Sequence, residues 1–296
     1  MQLLAGQRLK LRVLSHNIRY AANPPSPGEA LWKERLPDLL TQFRYHTEYA
    51  PQTFICLQEV LHGQLVNLLK GLNQEHEGWA SIGVGRDDGR EAGEYVPILY
   101  KTSEWKLQRF EHFWLSETPD RPSFGWDAGC RRVVTIGVFR HRTTSRSVVA
   151  MNTHLDNSGS TSREKGAKLI VGAVESYVKG MSTDGLGPLP VFLSGDMNSE
   201  EHQEAYKVFT STKSPLNDAK KLVPSGHLYG NKNTFTGFGG KGDEDIGTAR
   251  IDYVFVTQEK PDAWTVKGYA TLPNLFEDAS GNYLSDHRAV VADIEL

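Results

Sequence analysis

Polar and charged residues gather at the ends of short apolar runs along this chain, where side chains able to do chemistry can line a cleft. Because open α/β sheets build their ligand sites at strand ends, several such termini together indicate one common site. Six termini carry Asn, Glu, His or Asp: His16 and Asn17, Gln58 and Glu59, Asn152 and His154, Asp196 and Asn198, Asp252, and Asp286 and His287.

The chemistry that fits this set is metal-assisted hydrolysis of a phosphoester. Mg²⁺ prefers hard oxygen ligands and keeps several waters, so one or two carboxylates suffice to hold it. Glu59 is the candidate carboxylate, and Asn17 can add a carbonyl oxygen. A second carboxylate, Asp196, can orient and deprotonate the attacking water. We therefore expect a Mg²⁺ or Mn²⁺ site beside a carboxylate that activates water.

Negative charge grows on the phosphoryl oxygens during such a reaction, so hydrogen-bond donors must point at them. Asn198, His154 and His287 are the candidate donors. A histidine beside a buried carboxylate is held in one tautomer and can stay cationic near neutral pH. Asp252 is the expected partner of His287, and His154 is the candidate for protonating the leaving oxygen.

Each of these residues also has a structural interpretation. Glu59 could cap the helix expected to begin near residue 61, since a carboxylate is favourable at a helix N-terminus. Asp196 and Asn198 could form an Asx turn. The remaining structural alternatives are a strand-end turn at Asn17, a structural His154, a strand-start carboxylate at Asp252 and an exposed turn at Asp286 and His287.

The elements that must position these residues are predicted from hydrophobic periodicity. Helices are expected at Trp32–Thr47, near 64–72, at 162–179 and at 201–209. Strands are expected at 11–18, 54–57, 79–84, 96–100, 105–115, 133–140, 148–154, 190–193, 251–257, 264–272 and 289–294. This mixture predicts α/β layers with mixed sheets. Long polar loops at 85–93, 116–129 and 237–250 are typical of functional segments.

Composition excludes several classes of protein. The chain has 296 residues, of which 39% are hydrophobic and 23% charged, which is typical of a globular protein and argues against disorder. No apolar run reaches the roughly 18 residues of a membrane span. A net charge of −3 lacks the basic footprint of a strong nucleic-acid binder, although a catalytic cleft can be locally positive. Two cysteines make neither a disulfide framework nor a zinc site.

The same survey gives expectations about organisation and location. No linker or charge block divides the chain, so one domain over residues 1–296 is expected. Residues 1–10 hold no apolar signal segment, and no Asn-x-Ser/Thr sequon occurs. These features favour a cytoplasmic location slightly, with secretion as the alternative if a leader has been removed. The oligomeric state is left open.

Six short motifs occur in an order that resembles the endonuclease/exonuclease/phosphatase superfamily, which has the deoxyribonuclease I-like fold. Each motif is weak alone, and the shared order over residues 11–296 carries the resemblance. The motifs are Leu14-Ser15-His16-Asn17-Ile18, Leu57-Gln58-Glu59-Val60, Asn152-Thr153-His154-Leu155-Asp156, Gly195-Asp196-Met197-Asn198, Arg250-Ile251-Asp252-Tyr253-Val254-Phe255 and Ser285-Asp286-His287-Arg288.

The resemblance implies a four-layer αββα sandwich of two mixed β-sheets flanked by helices, with the site at one edge. It implies a role for each motif residue: Asn17 and Glu59 near the metal, Asp286 as a further carboxylate on the metal side, Asp196 activating water, Asn198 binding phosphate, and Asp252 paired with His287, which contacts the scissile phosphate.

His154 and two further positions refine the resemblance. His154 matches the histidine of the branch containing deoxyribonuclease I, sphingomyelinases and inositol phosphatases, and Glu94 matches the glutamate that orients it. Arg132 matches an arginine that contacts phosphate, with the neighbouring Arg131 as the alternative. Ala92 replaces a tyrosine that deoxyribonuclease I has two residues before the glutamate, a departure that weakens the case for a DNA-backbone contact.

These observations predict a divalent-metal-dependent phosphoester hydrolase. A phosphodiesterase or nuclease is the first hypothesis, with nucleic acid or a nucleotide as substrate. The alternative is a phosphomonoesterase acting on a small ligand such as an inositol or sugar phosphate, which predicts extra Lys or Arg from the 85–93 and 237–250 loops. A non-catalytic binding module is the third hypothesis, and it is disfavoured because no expected catalytic position is missing.

Overall fold

The computed structural model describes residues 8–74, 76–181, 187–238, 248–258, 263–276 and 280–296. Most of the long loop expected at 237–250 therefore lies outside the described residues, since positions 239–247 are not among them. Within the described part of the chain, no helix is long and apolar enough to cross a membrane.

Two mixed β-sheets form the centre of the molecule. The seven-stranded sheet runs, in spatial order, β10 (Leu228–Gly230), β12 (Thr265–Thr271), β15 (Val290–Glu295), β1 (Lys10–Asn17), β2 (Phe54–Gln58), β4 (Ile98–Lys101) and β3 (Trp79–Ile82). The six-stranded sheet runs β5 (Trp105–Trp114), β6 (Val133–His141), β7 (Ser147–His154), β8 (Val191–Asp196), β11 (Asp252–Thr257) and β9 (Leu216–Asp218). A small hairpin joins β13 (Leu275–Phe276) to β14 (Asn282–Tyr283).

Helices cover the outer faces of the two sheets. They are α1 (Trp32–Thr47), α2 (His62–Leu72), α3 (Ser160–Val178) and α4 (Glu204–Phe209), whereas the short α5 (Ala219–Leu222) contacts β11 and β12 and packs Ala219 into the core between the sheets. The apolar stripe of α1 packs with α2 on the outer face of the seven-stranded sheet, and α3 packs with α4 on the outer face of the six-stranded sheet. The predicted four-layer αββα sandwich is confirmed.

The main core lies between the two sheets. Inward-facing side chains of both sheets interdigitate there, and the Phe54 ring centroid lies 4.9 Å from that of Phe139 and 5.4 Å from that of Phe192. Packing of such rings contributes beyond the area they bury. This core fixes β1 and β2 against β7, β8 and β11, which are the strands whose ends carry the polar residues.

The observed elements differ from the predicted ones mainly at their ends. The strand expected at 190–193 continues through Ser194, Gly195 and Asp196, because these residues pair with both neighbouring strands despite their low β propensity. The helix expected at 201–209 begins at Glu204. The short elements β9, β10, α5 and the β13–β14 hairpin were not predicted, because segments of two to four residues carry no readable periodicity.

Candidate active site

Strand register brings three of the predicted catalytic residues into one row. β7 pairs with β8 in parallel, which sets His154 opposite Asp196. β11 pairs with β8 in the antiparallel sense, which sets Asp252 opposite Asp196 on the other side. Since paired strands lie about 4.8 Å apart, the three side chains must be close neighbours. All three are buried.

The backbone around Asp196 explains why its neighbours are glycine and asparagine. Gly195 has φ of 150°, and a Cβ there would stand 2.0 Å from the carbonyl oxygen of Thr153, so a side chain cannot be accommodated. Asn198 has φ of 44°, a left-handed conformation that asparagine tolerates better than most residues. Its backbone N–H donates to Asp196 Oδ1 at 2.9 Å. The Asx turn considered as a structural alternative is therefore present, and it also orients the Asp196 carboxylate.

His287 forms a buried ion pair at the centre of the site. Its Nδ1 donates to Asp252 Oδ2 at 2.8 Å, and its Nε2 lies 3.7 Å from Asp196 Oδ2. Burial alone would lower the pKa of His287, but Asp252 and Asp196 together raise it to about 10. Burial and the Asp252 charge raise the pKa of Asp196 to about 7, against the opposing effect of His287. The site thus presents an imidazolium Nε2–H next to a carboxylate of raised proton affinity.

Asn17 connects this ion pair to the predicted metal side. Its Nδ2 donates to Asp196 Oδ2 at 3.0 Å and to Glu59 Oε1 at 3.1 Å. Glu59 has φ of 58°, an uncommon backbone conformation for glutamate, and its Oε2 accepts from the Tyr20 N–H at 3.2 Å. Backbone strain of this kind is found preferentially where a side chain has to be placed for function.

Asp286 supplies a second carboxylate on the Glu59 side. Burial raises the pKa of Asp286, and the Glu59 charge raises it further, against the lowering effect of His287. Glu59 and Asp286 repel each other, and the Arg19 guanidinium lies 3.6 Å from Glu59. Together the two carboxylates form a set of hard oxygen donors. Both acids are only partly buried, so water can complete a coordination shell. Glu59, Asp286 and the Asn17 amide therefore fit a divalent cation.

A second arrangement also brings together groups that can bind metal. One oxygen or nitrogen atom each of Asp196, Asp252 and His287 lies within 4.8 Å of the others. We regard this cluster as an ion pair rather than a metal site, because a metal ligand must be an unprotonated imidazole. The raised pKa of His287 keeps its ring protonated.

His154 lies on the other side of Asp196. Its Nε2 is 3.0 Å from Asn198 Nδ2 and 3.4 Å from Asp196 Oδ2. Burial, together with the charges of Arg132 and Arg86, lowers the pKa of His154 well below its usual value, so its ring is neutral. Since Asn198 Nδ2 donates to this ring, the proton of the neutral imidazole belongs on Nδ1, which has no partner among the described residues.

Glu94 and Arg132, the two supporting residues implied by the resemblance, lie beside His154. The Glu94 Oε2 atom is 4.0 Å from His154 Nδ1, beyond hydrogen-bond distance, and accepts instead from Arg86 Nη1 at 2.6 Å. Arg132 Nη2 donates to Asn157 Oδ1 at 2.9 Å, whereas its buried Nη1 has no partner in the described part of the chain. The roles of Glu94 and Arg132 stay predictions, and the orienting contact from Glu94 is not formed in this structure.

All ten predicted site residues lie around this one edge of the sandwich. The sequence interpretation missed two arginines that belong to it. Arg86, in the 85–93 loop, meets Glu94, and Arg35 of α1 is fully buried beneath the metal side. Arg35 donates to the carbonyl oxygens of Ile18 at 2.7 Å and Leu284 at 2.8 Å. The sequence did contain a sign that Arg35 is buried. Arg35 lies three positions after Trp32 and four before Leu39, which places a charged side chain on the apolar stripe of α1.

The fold and this site define a class of protein. The sequence model of the Endonuclease/Exonuclease/phosphatase family matches residues 14–287, from the strand that carries Asn17 to His287 itself. The chain belongs to this family, and it is a phosphoester hydrolase by class.

Solved structures from two bacteria resemble this chain over nearly its whole length. A family member from Bacteroides thetaiotaomicron is 30% identical, with a TM-score of 0.83, and the match covers 98% of this chain and 99% of that one. A family member from Bacteroides vulgatus is 31% identical, with a TM-score of 0.82 and coverage of 97% and 99%. A mannosyl-6-phosphatase from Bacteroides thetaiotaomicron is 30% identical, with a TM-score of 0.79 and coverage of 96% and 99%. Comparison with curated proteins gave no match.

Proposed function

We propose that this protein is a divalent-cation-dependent phosphomonoesterase that acts on a small phosphorylated ligand, with a sugar phosphate as the first candidate. The carrying observation is the buried row of His154, Asp196 and Asp252, completed by His287 at 2.8 Å from Asp252. This row sets a base, a cation and neutral donors around one space, as phosphoester hydrolysis requires.

In the proposed reaction, Asp196 orients a water molecule and accepts its proton as the water oxygen bonds to phosphorus. His287 donates a hydrogen bond to the phosphoryl oxygens as their charge grows. Both N–H groups of the Asn198 amide contact His154 and the Leu155 carbonyl oxygen, so Asn198 would exchange one of these contacts to donate to a phosphoryl oxygen. The bond from phosphorus to the leaving oxygen breaks, and that oxygen takes up a proton from solvent. Asp252 holds His287 in its cationic form and fixes its ring.

Glu59, Asp286 and the Asn17 amide are the residues that would hold Mg²⁺ or Mn²⁺. When bound there, the cation supplies charge that polarises the phosphoryl group. Asn17 links this side of the site to Asp196 through its Nδ2, so the positions of the two carboxylate groups are coupled.

Two observations favour a monoester over a diester. Arg86 enters the site from the 85–93 loop, as the monoesterase hypothesis expects, and adds a cation next to Arg132. The mannosyl-6-phosphatase from Bacteroides thetaiotaomicron, 30% identical across 96% of this chain, cleaves a phosphomonoester by its name. Positions 239–247 of the other loop lie outside the described residues and contribute nothing to this choice.

A phosphodiesterase acting on a nucleotide is the second candidate. The observation that favours it is Phe124, which is 51% exposed and has the Arg131 guanidinium 4.6 Å from its ring centroid. An exposed aromatic ring beside a guanidinium can stack a base. Arg131 also pairs with Asp87 at 3.3 Å, which ties this surface to the loop that carries Arg86.

The test is a substrate panel assayed with Mg²⁺ or Mn²⁺ and again with EDTA. It contains p-nitrophenyl phosphate, mannose 6-phosphate, inositol phosphates, bis-p-nitrophenyl phosphate, DNA, RNA and poly(A). The proposal expects EDTA-sensitive release of phosphate from the monoesters and little cleavage of the diesters. Preferential cleavage of the diesters would support the second candidate, and no EDTA-sensitive hydrolysis of any member would support a binding module.

A matched pair of variants connects the activity to the site. Asp196→Asn removes the proposed base, and we expect kcat to fall by about 100- to 10,000-fold with unchanged thermal unfolding. Asp120→Asn makes the same chemical change at an exposed position and should retain full activity. Wild-type turnover by Asp196→Asn would exclude the proposed mechanism.

A further inference from the structure

We infer that Arg86 is a phosphate-binding residue that gives this site its preference for a dianionic monoester over a monoanionic diester. The inference rests on the proposed function and extends it, since it assigns the choice between the two ester classes to one side chain. Arg86 belongs to the 85–93 loop, outside the six motifs that carry the family resemblance.

The Arg86 side chain is held at the site but is not fully satisfied there. It is 15% exposed, and its Nη1 donates to Glu94 Oε2 at 2.6 Å. Its Nε is buried and has no hydrogen-bond partner among the described residues. A buried N–H without an acceptor costs free energy, so such a group indicates an acceptor that binds from outside the protein chain.

Two more unpaired nitrogen atoms lie in the same neighbourhood. Arg132 Nη1 and His154 Nδ1 are both buried and lack partners within the described ranges, and both side chains are more than nine-tenths buried. Glu94 links two of the groups, because its Oε2 contacts Arg86 and lies 4.0 Å from His154 Nδ1. The Arg132 charge acts on the same carboxylate, where it opposes the rise in the pKa of Glu94 that burial causes. Both guanidiniums also lie close enough to lower the proton affinity of His154 by repulsion. Three unpaired nitrogens around one carboxylate are suited to an oxyanion with several free oxygens.

The Arg86 side chain favours a dianion. Glu94 pairs with Arg86, and the buried Asp156 Oδ2 lies 3.5 Å from Arg132 Nε, so the two carboxylates balance the two guanidinium charges beside a neutral His154. What the group offers a ligand is therefore the Arg86 charge at close range together with the unpaired N–H donors. A phosphomonoester carries nearly two negative charges above its second pKa of about 6. A diester carries one charge and has one fewer free oxygen. Because Coulomb energy scales with the product of charges, the same cation stabilises the monoester more.

The loop that carries Arg86 is held by its backbone rather than by this side chain. The N–H of Arg86 donates to the Glu94 carbonyl at 3.0 Å, and the N–H of Asp87 donates to the Ala92 carbonyl at 3.0 Å. The buried Trp114 ring donates from Nε1 to the Arg86 carbonyl at 2.8 Å. A substitution of the Arg86 side chain should therefore leave the loop in place.

The experiment compares Arg86→Gln with Arg90→Gln on two substrates that share one leaving group. Arg90 belongs to the same loop and is exposed, so this control makes the same change of charge away from the site. We measure kcat/KM for p-nitrophenyl phosphate and bis-p-nitrophenyl phosphate at saturating Mg²⁺. Arg86→Gln should lower the monoester value by about 10- to 100-fold and the diester value by less than about threefold. Arg90→Gln should change neither by more than about twofold.

Inhibition by inorganic phosphate gives a readout that does not depend on turnover of a monoester. Its inhibition constant should rise in Arg86→Gln more at pH 8, where the dianion dominates, than at pH 5.5, with bis-p-nitrophenyl phosphate as the reporter substrate. Arg86→Lys keeps the charge and loses the planar fork, so it should recover part of the monoester preference. Thermal unfolding of each variant checks that the fold is intact.

The outcomes separate this inference from the proposed function. An equal fall for both substrates, or no change for either, overturns the role of Arg86 and leaves the phosphomonoesterase proposal standing if the wild type prefers the monoester. A wild-type enzyme that prefers the diester overturns the proposed function itself. A monoester-selective loss in Arg86→Gln that Arg86→Lys partly reverses supports the inference.

Discussion

His287 Nδ1 lies 2.8 Å from Asp252 Oδ2, and both side chains are at least 95% buried. A buried ion pair is tolerated only when its geometry is good and its remaining polar atoms also make hydrogen bonds or charge contacts. Here the imidazole Nε2 faces Asp196 and Asn17 rather than solvent. Asp252 therefore keeps the His287 ring protonated at the centre of the site, where the proposed mechanism places the phosphoryl group.

Asp252→Asn should remove the positive charge of the His287 ring, while the new side chain keeps the shape of the aspartate. Burial still lowers the pKa of His287 in this variant, while the charge and hydrogen bond of Asp252 that opposed it are gone and only Asp196 and Asp286 still raise it, so the pKa falls from about 10 and we expect the ring to lose its proton below pH 8. We expect kcat to fall by about 100- to 10,000-fold. The measurement is kcat with p-nitrophenyl phosphate, accompanied by NMR titration of the His287 ring between pH 6 and pH 10. A His287 ring that stays protonated at pH 8 in the variant would contradict this account.

Removal of divalent cations should abolish activity, and Glu59 should set the affinity for the added ion. We expect EDTA to inactivate the enzyme, Mg²⁺ or Mn²⁺ to restore it, and Glu59→Gln to raise the half-saturating Mg²⁺ concentration at least about 10-fold. The measurement is a Mg²⁺ titration of activity. Glu164→Gln, at a partly exposed position on α3, is the matched control and should titrate like the wild type. Full activity in EDTA would show that the reaction does not depend on a divalent cation.

His154 should act as a neutral hydrogen-bond donor to the phosphoryl group rather than as the acid that protonates the leaving oxygen. Its pKa is lowered well below the usual value by burial and by Arg132 and Arg86, so at neutral pH it keeps only the N–H of the neutral ring and is not the imidazolium that an acid catalyst requires. His154→Gln should then lower kcat/KM for p-nitrophenyl phosphate and for phenyl phosphate by the same factor, about 100-fold.

The comparison of the two substrates distinguishes the roles of His154. If this residue protonates the leaving oxygen, as the sequence interpretation expects, phenyl phosphate will lose far more activity, because its leaving group needs the proton more. His202→Gln, an exposed histidine in the loop before α4, should leave both values unchanged.

The two cysteines should differ in reactivity. Cys56 is fully buried between the sheets, and burial raises the pKa of its thiol to about 12, so almost no thiolate exists at pH 8. Cys130 is partly exposed. Titration of the native protein with 5,5′-dithiobis(2-nitrobenzoate) should detect one thiol, and titration in guanidinium chloride should detect two. Fast reaction of two thiols in the native protein, or of one in Cys130→Ser, would show that the core around Cys56 opens.

The polar strand ends allowed the site to be predicted from the sequence because strand register converts their order into proximity. His154, Asp196 and Asp252 follow apolar runs that are easy to recognise, and pairing of β7, β8 and β11 then places them in one row. The four layers follow from helices and strands long enough to show a period. The same logic fails for β9 and β10, which have three residues each.

Arginine contacts could not be predicted in the same way. Arg86 sits in a loop with no periodicity, and its position depends on the Glu94 carboxylate, which lies eight residues further along the chain. Arg35 reaches the carbonyl oxygens of Ile18 and Leu284, which belong to segments separated by more than 260 residues. The family resemblance predicted that Glu94 contacts His154, whereas in the structure Glu94 forms its ion pair with Arg86 and lies 4.0 Å from His154. Such pairings depend on tertiary packing, which the sequence pattern does not encode locally.

Arg35→Met should destabilise the protein and loosen the metal side of the site together. The guanidinium is fully buried and pairs with the Glu29 carboxylate at 3.5 Å while it holds the chain at Ile18 and Leu284. Its loss removes one cation from the buried Glu29 carboxylate, which keeps the Ser26 N–H and Arg19 as partners, and removes the donor from the carbonyl oxygens of Ile18 and Leu284. We expect the free energy of unfolding to fall by about 3 to 5 kcal/mol.

Urea unfolding of Arg35→Met measures this loss, with Lys33→Met as the control at an exposed position of the same helix. Ile18 follows Asn17, and Leu284 stands two residues before Asp286, so the freed backbone lies directly beside two of the proposed cation ligands. The half-saturating Mg²⁺ concentration should therefore rise in Arg35→Met under conditions where the protein remains folded. A variant that loses stability but keeps the wild-type Mg²⁺ requirement would show that Arg35 supports the fold alone, because positioning of the ligands would then be independent of it.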